Sequence, residues 1–221
     1  MAGESSSRTL SKGPSGPDNV RPRRSPEEVA TWQRERMLSA MVAAVADKGY
    51  TNVAVADVVQ RARVSRATFY EQFDDKTDCF VAAFHWCVDR FVDMLRRRNP
   101  RDLPPRVRLR SVLETYLGEM AAFPEGARVC LVEMYAVGPT AVLHRKQIQL
   151  DFMAILEELH QDLAASGELV RELTTFDFEA LVGAISSLAT NKIAMGDAAE
   201  LPQLLGPMEL FVLTHFGLNT D

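Results

Sequence analysis

Apolar residues in this chain recur at three- and four-residue spacing. Leu38, Met41, Val42 and Val45 share one helical face, and Lys48-Gly49 supplies a stop behind them. Upstream, Ser25-Pro26-Glu27-Glu28 has the form of a helix start: Ser25 as N-cap, Pro26 at the first position and Glu28 closing a capping box. A short second helix places Val55, Val58, Val59 and Ala62 on one face. After a break at Arg63-Val64 a third spans 65–73. Asp74 and Asp75 can cap a fourth, which runs to about residue 98 and ends in the Pro-broken stretch RRRNPRDLPPR. Further helices are expected at about 105–122, 125–137, 140–165, 176–195 and 202–216, separated by Phe123-Pro124, Gly138-Pro139, Gly167 and Gly196. Nothing reads as an alternating strand, and no repeat period appears. The pattern predicts an all-α chain of about nine helices.

Composition changes this picture little, but charge placement changes it a great deal. The 221 residues are 47% hydrophobic and 25% charged, as in a soluble globular protein with a full core. Residues 1–25, rich in Ser, Gly, Pro and Arg, are expected to form a disordered basic arm, and RPRR at 21–24 could reach a minor groove. Residues 1–110 hold 20 Lys+Arg against 14 Asp+Glu, whereas residues 111–221 hold 5 against 16. A basic front and an acidic back imply that the N-terminal part meets a polyanion. Cys79, Cys87 and Cys130 are odd in number and lack framework spacing, which fits a reducing compartment. No signal-peptide core is visible, and the apolar-rich stretch 180–191 is too short to span a bilayer. A cytoplasmic protein without a membrane partner is expected.

The segment VSRATFYEQF, residues 64–73, concentrates the candidate chemistry. Two short helices joined by a tight turn can form a helix-turn-helix whose second helix enters a major groove. Val64 can lock the pair against Val58 and Val59, and Ser65 can cap the second helix. Phe69 and Phe73 face inward, leaving Arg66, Ala67 and Tyr70 outside. Arg66 can donate twice to guanine, and Ala67 or the Thr68 methyl can touch a thymine methyl. Tyr70 and Gln72 can donate to phosphates. Lys76 opens the fourth helix, where the macrodipole disfavours a cation unless it meets a phosphate or is merely a tolerated surface lysine.

The stretch KGYTNVAVADVVQRARVSRATFYEQFDDKTDCF resembles the N-terminal domain of the tetracycline-repressor (TetR) family of bacterial transcription regulators. Matches are Gly49-Tyr50, Val55, Asp57, Val58, Val64-Ser65, Thr68-Phe69-Tyr70, Phe73 and Lys76, over about residues 30–90. The resemblance implies a helix-turn-helix domain at 26–75 and a helical ligand-binding and dimerisation domain at 76–221. It assigns DNA-facing roles to Ser65, Arg66, Ala67, Thr68, Tyr70, Gln72 and Lys76. Three positions depart from the family pattern. Val53 stands where Thr usually opens the second helix, so Asn52 is expected to cap instead. Gln72 replaces a usual His. Arg63 replaces the usual turn glycine, and a phosphate contact by Arg63 would offset the strain.

The C-terminal half is similar to the family chiefly in helix order. The resemblance implies a pocket for a largely apolar small-molecule effector, lined by Tyr116, Met120, Phe123, Met134, Tyr135, Phe152 and Met153. It also implies a four-helix homodimer interface built from Leu181, Gly183, Ala184, Ile185, Ser187 and Leu188 with Met208, Phe211, Val212 and Phe216. The function so implied is a homodimeric repressor on a (pseudo)palindromic double-stranded DNA operator, released by its effector. The sequence has no G-x-S-x-G elbow, P-loop or H-E-x-x-H. Cys79, His85 and Cys87 cannot easily share one zinc, so no catalytic, metal or cofactor site is expected. Two alternatives stay open: a helical protein-interaction module, and a thiol-sensing regulator using Cys79 and Cys87.

Overall fold

The computed structural model of the chain describes residues 25–98, 101–138, 140–168 and 170–218; the basic arm through residue 24 lies outside them. Among the described residues there are nine α-helices and no strands: α1 (Pro26–Lys48), α2 (Val55–Ala62), α3 (Arg66–Tyr70), α4 (Lys76–Arg97), α5 (Pro105–Ala122), α6 (Pro124–Leu131), α7 (Thr140–Ala165), α8 (Thr175–Met195) and α9 (Leu205–His215). Short 3-10 turns at Tyr50–Asn52, Glu133–Val137 and Ala198–Leu204 link them. None of these helices is long and apolar enough to cross a membrane.

The helix starts follow from local side-chain chemistry. Ser25 Oγ accepts the Glu28 N–H at 3.1 Å while the Glu28 carboxylate accepts the Ser25 N–H, so two orphan donors of α1 are satisfied at once. Asp75, not Asp74, is the N-cap of α4, accepting the Asp78 N–H at 2.8 Å. Thr174 and Asp177 form the same reciprocal box at α8. Asn52 does not cap α2 as expected. Its amide turns back and donates to the Lys48 carbonyl at the end of α1, while Asp57 accepts the Ala54 N–H at 2.8 Å and opens α2.

One continuous buried cluster runs through the described chain. α1 packs on α2, α4 and α6; α5 packs on α7, α9 and the 198–204 turn; α6 also meets α4 and α8. α4 serves both ends: it packs on α1, with Cys79, Phe80, Ala83 and Phe84 buried in its first half, and on α5 and α6, with Phe91, Val92 and Leu95 buried further along. Polar burial is confined to Arg108 and Glu133 among the described residues. Arg108, held by Glu158 at 2.8 Å and by Asp162, fastens α5 to α7. Removing either carboxylate would leave buried charge undercompensated.

Candidate nucleic-acid interface and the apolar cavity behind it

α2 closes with two backbone bonds, Arg63 N–H to the Gln60 carbonyl and Val64 N–H to the Val59 carbonyl, which together make a Schellman turn. The turn puts Arg63 at φ 52°, ψ 48°, the one positive-φ residue other than glycine among the described residues. Val64 then packs half-buried against the core beside Val59. The chain re-enters helix at once because Ser65 Oγ accepts the Thr68 N–H at 2.9 Å. α3 is shorter than the sequence suggests, ending at Tyr70 rather than Phe73.

What holds so short a helix is its inner side. Phe69 and Phe73 are buried with ring centroids 5.4 Å apart, each burial contributing about 1.5–3 kcal/mol. Arg34 of α1 reinforces them, donating to the Gln72 carbonyl at 3.0 Å while its guanidinium lies 4.4 Å from the Phe73 ring. Nothing in the local spacing of α1 singled out Arg34. The outer side of α3 presents Arg66, Ala67 and Tyr70 to solvent, with Ser65 beside them and Thr68 and Gln72 half-buried at the edges. Arg61 is tied to Asp47. The Arg63 and Arg66 guanidinium groups are exposed and have no hydrogen-bond or ion-pair partner among the described residues.

Lys76 is more than a tolerated surface lysine. Its ammonium donates to the Tyr50 carbonyl at 3.1 Å and stands 4.4 Å from the Tyr50 ring, which accounts for a cation in the first turn of α4. The Tyr50 hydroxyl shares a hydrogen bond with Thr77 at 3.0 Å, and the ring packs on Phe80. Asp57 is held below its ordinary 3.8, first by the Lys48 hydrogen bond and then by the Ala54 N–H. The turn after α1 and the first turn of α4 therefore share one knot of contacts beneath α2 and α3.

Behind this unit α4, α5, α6, α7 and α8 enclose an apolar cavity of about 70 Å³. Its walls include Phe91, Tyr116, Met120, Cys130, Leu131, Ile148, Phe152 and Ile185, with Gln149 and Ser186 among the few polar groups. Of the residues expected to line an effector pocket, Tyr116, Met120 and Phe152 face this cavity, and Phe123, Met134, Tyr135 and Met153 do not. Phe123 turns toward Trp86 and Phe91, Met134 is buried elsewhere, and Tyr135 is exposed. Met153, one residue beyond Phe152, lies about 100° around α7 and is buried away from the cavity.

The expected dimer residues also divide. Leu181, Ile185, Met208, Val212 and Phe216 are buried inside the protomer, where α8 and α9 meet its own core, and Ile185 lines the cavity. Gly183 and Ala184 are half-buried, and Ser187, Leu188 and Phe211 are exposed. With Phe176 (75% exposed), Met195 (81% exposed) and Leu210 they form an outward apolar stripe on α8 and α9. Cys79 and Cys87, both fully buried, lie eight residues apart on α4, about 12 Å of helix rise, too far to bridge each other.

A short exposed helix, set by a tight turn and two buried phenylalanines on a three-helix platform, defines a helix-turn-helix DNA-binding regulator. Residues 38–83 match the model for bacterial regulatory proteins of the tetR family. Over those residues the chain carries a DNA-binding domain similar to that of this family, as fits a DNA-binding transcription regulator. It is 26% identical over 107 residues, 48% of its length, to the HTH-type transcriptional activator FasR of Mycolicibacterium smegmatis, and the match spans about half (49%) of that relative. Its fold is similar to that of the fatty acid degradation regulator FadR of Bacillus halodurans, with a TM-score of 0.74, 21% identity and coverage of 87% of this chain and 97% of that one. It is also similar to the transcriptional regulator FadR of Bacillus subtilis in complex with stearoyl-CoA, with a TM-score of 0.73, 18% identity and coverage of 82% and 98%.

Proposed function

We propose that the chain is a homodimeric repressor whose reader unit, residues 26–75, is released from a palindromic operator when a long-chain acyl compound enters the cavity of residues 76–221. The observation that carries the reading is the shared wall: the cavity is bounded by α4, which bears the reader, and by α8, which bears the exposed apolar stripe. A ligand that pushes these helices apart favours one spacing of the two recognition helices over another. The lining suits an alkyl chain, each buried methylene contributing about 0.8 kcal/mol. At about 70 Å³ the cavity is smaller than the ~300 Å³ of a drug-sized site, so filling it must displace its walls. That displacement is the switch. The fatty-acid and acyl-CoA names of the similar regulators support this ligand class.

In the DNA complex Arg66 reads guanine, Ala67 and Thr68 contact a thymine methyl, and Ser65, Tyr70, Gln72, Lys76 and Arg63 meet the backbone. Lys76 does so while still fixed on Tyr50. Dimerisation through Leu188, Ser187, Ala184, Gly183 and Phe211 sets the readers about one DNA turn apart, roughly 34–36 Å. The test is fluorescence anisotropy on a duplex from the region upstream of the coding sequence, across a salt series, with and without stearoyl-CoA. Tight salt-sensitive binding, well above that to a scrambled duplex and weakened by stearoyl-CoA, is expected. Sites selected from random DNA provide the duplex if the upstream region is silent. Equal binding to every duplex would leave the protein-interaction reading in its place.

A further inference from the structure

Glu133 is the buried carboxylate of the described chain, and it joins two regions remote in sequence. It opens the 3-10 turn that directly follows α6. One oxygen accepts the Tyr50 backbone N–H at 3.0 Å, across 83 residues. The other accepts from Arg128 at 3.1 Å. Gly49 sits at φ 75°, a conformation that side chains rarely adopt, and so shapes the turn that presents the Tyr50 amide to this carboxylate.

Both sides of this contact lead somewhere. On the reader side, Tyr50 holds Lys76 through its carbonyl and ring, Thr77 through its hydroxyl, and Phe80 by packing. On the other side, Cys130 and Leu131, three and two residues before Glu133, are walls of the cavity. α6 packs on α1, α4 and α8, so a displaced wall moves the end of α6 against the reader. Separating a buried carboxylate from the Tyr50 amide leaves both groups unsatisfied, so the contact resists being pulled apart and passes movement of the α6 wall to the turn.

We propose that Glu133 is a positioning residue that couples the cavity to the reader, releasing or dragging the Gly49-Tyr50 turn when the α6 wall moves. This rests on the cavity being the effector site. The test uses full-length protein, the operator duplex and stearoyl-CoA as probe. Calorimetry gives stearoyl-CoA affinity, anisotropy gives the ratio of operator Kd with and without it, and hydrogen exchange follows the Tyr50 amide. Glu133→Ala is expected to bind stearoyl-CoA within about threefold of wild type yet lose roughly tenfold of the operator ratio. Glu133→Gln, which keeps an acceptor for the Tyr50 N–H, is expected to restore most of it. A purely structural Glu133 would weaken operator binding equally with and without ligand; an unchanged ratio in Glu133→Ala therefore overturns the proposal. Should that variant fail to fold, wild type decides, because Tyr50 exchange unmoved by bound stearoyl-CoA also overturns it. Should wild type not bind stearoyl-CoA, the acyl-effector reading fails by itself, and Ile148→Trp fills the cavity instead. It is expected to shift operator Kd about fivefold or more with Glu133 present and less than about twofold in the Glu133→Ala background. Equal shifts in both refute the coupling.

Discussion

Replacing Arg63 with glycine separates a stability effect from a DNA effect at one residue. Four helices among the described residues end with the same pair of backbone bonds, and the structure supplies its own controls. In α7, α8 and α9 the left-handed residue of the pair is Gly167, Gly196 or Gly217, at φ 91°, 86° and 85°. In α2 it is Arg63. A residue with a β-carbon in that region costs about 1–2 kcal/mol, while glycine adds about 0.5–1 kcal/mol of unfolded-chain entropy. Arg63→Gly should therefore stabilise the protein by about 0.5–1 kcal/mol. For a chain of this size that raises Tm by about 1–4 °C.

The same change removes an exposed guanidinium that nothing in the described protein engages. If Arg63 meets a phosphate, the slope of log K against log salt should fall by about 0.9, and binding should weaken most at low salt. The assays are urea unfolding and a salt series of operator titrations on one preparation. A destabilised variant would refute the strain argument. A stabilised variant with an unchanged salt slope would refute the phosphate contact, and Arg63 would then be strain without a compensating role.

Leu188, 48% exposed on the α8 stripe, carries the dimer prediction: Leu188→Arg should raise the dimer Kd by about a hundredfold or more, read by sedimentation, with helicity unchanged. A dimer that persists at low micromolar concentration would remove this stripe from the interface. Asp177, which accepts from Thr174, Arg171 and His215, is depressed from its ordinary 3.8 to about 2. Its folded pKa lies below its unfolded one, so its contribution is complete above about pH 4 and is lost as pH falls through about 2. Asp177→Asn should accordingly lower the urea midpoint at pH 5 and leave it close to wild type by pH 2; a gap that widens in acid contradicts the sign. Burial pushes the Cys79 thiol up to about 12, and contact with Cys87 together with burial raises Cys130. A thiol-directed disulfide reagent at pH 8 should therefore react slowly with native protein and rapidly with all three thiols in urea. Fast native labelling would reopen the thiol-sensor alternative.

Local chemistry was legible in the sequence wherever a few neighbouring residues decide the outcome. The box at Ser25 and Glu28, the caps at Ser65 and Asp75, the inward Phe69 and Phe73 and the positive φ at Arg63 each depend on groups within four residues. The errors have a different physical origin. Asn52 had two backbone ends in reach, and it chose the unsatisfied carbonyl at the end of α1 over the amides of α2. Met153 and Phe152 share the same apolar character, and only their angular offset on α7 decides which one sees the cavity.

The apolar faces of α8 and α9 sharpen this point. Helical spacing marks Leu181, Ile185 and Val212 as residues that must leave water, but a protomer core and a partner subunit satisfy that demand equally. Periodicity therefore cannot assign them. The residues left exposed after the chain folds are the ones that the proposed partner subunit could still cover, which is why Leu188 and Phe211 are the informative ones to test. Glu133 is the converse case. A lone carboxylate in the apolar run LVEMYAV was a visible signal, because burying it requires partners. The spacing of the run does not say that one partner is a backbone amide 83 residues earlier. An isolated charge in an apolar run thus predicts a distant polar contact without locating it, and here that contact falls between the cavity wall and the reader.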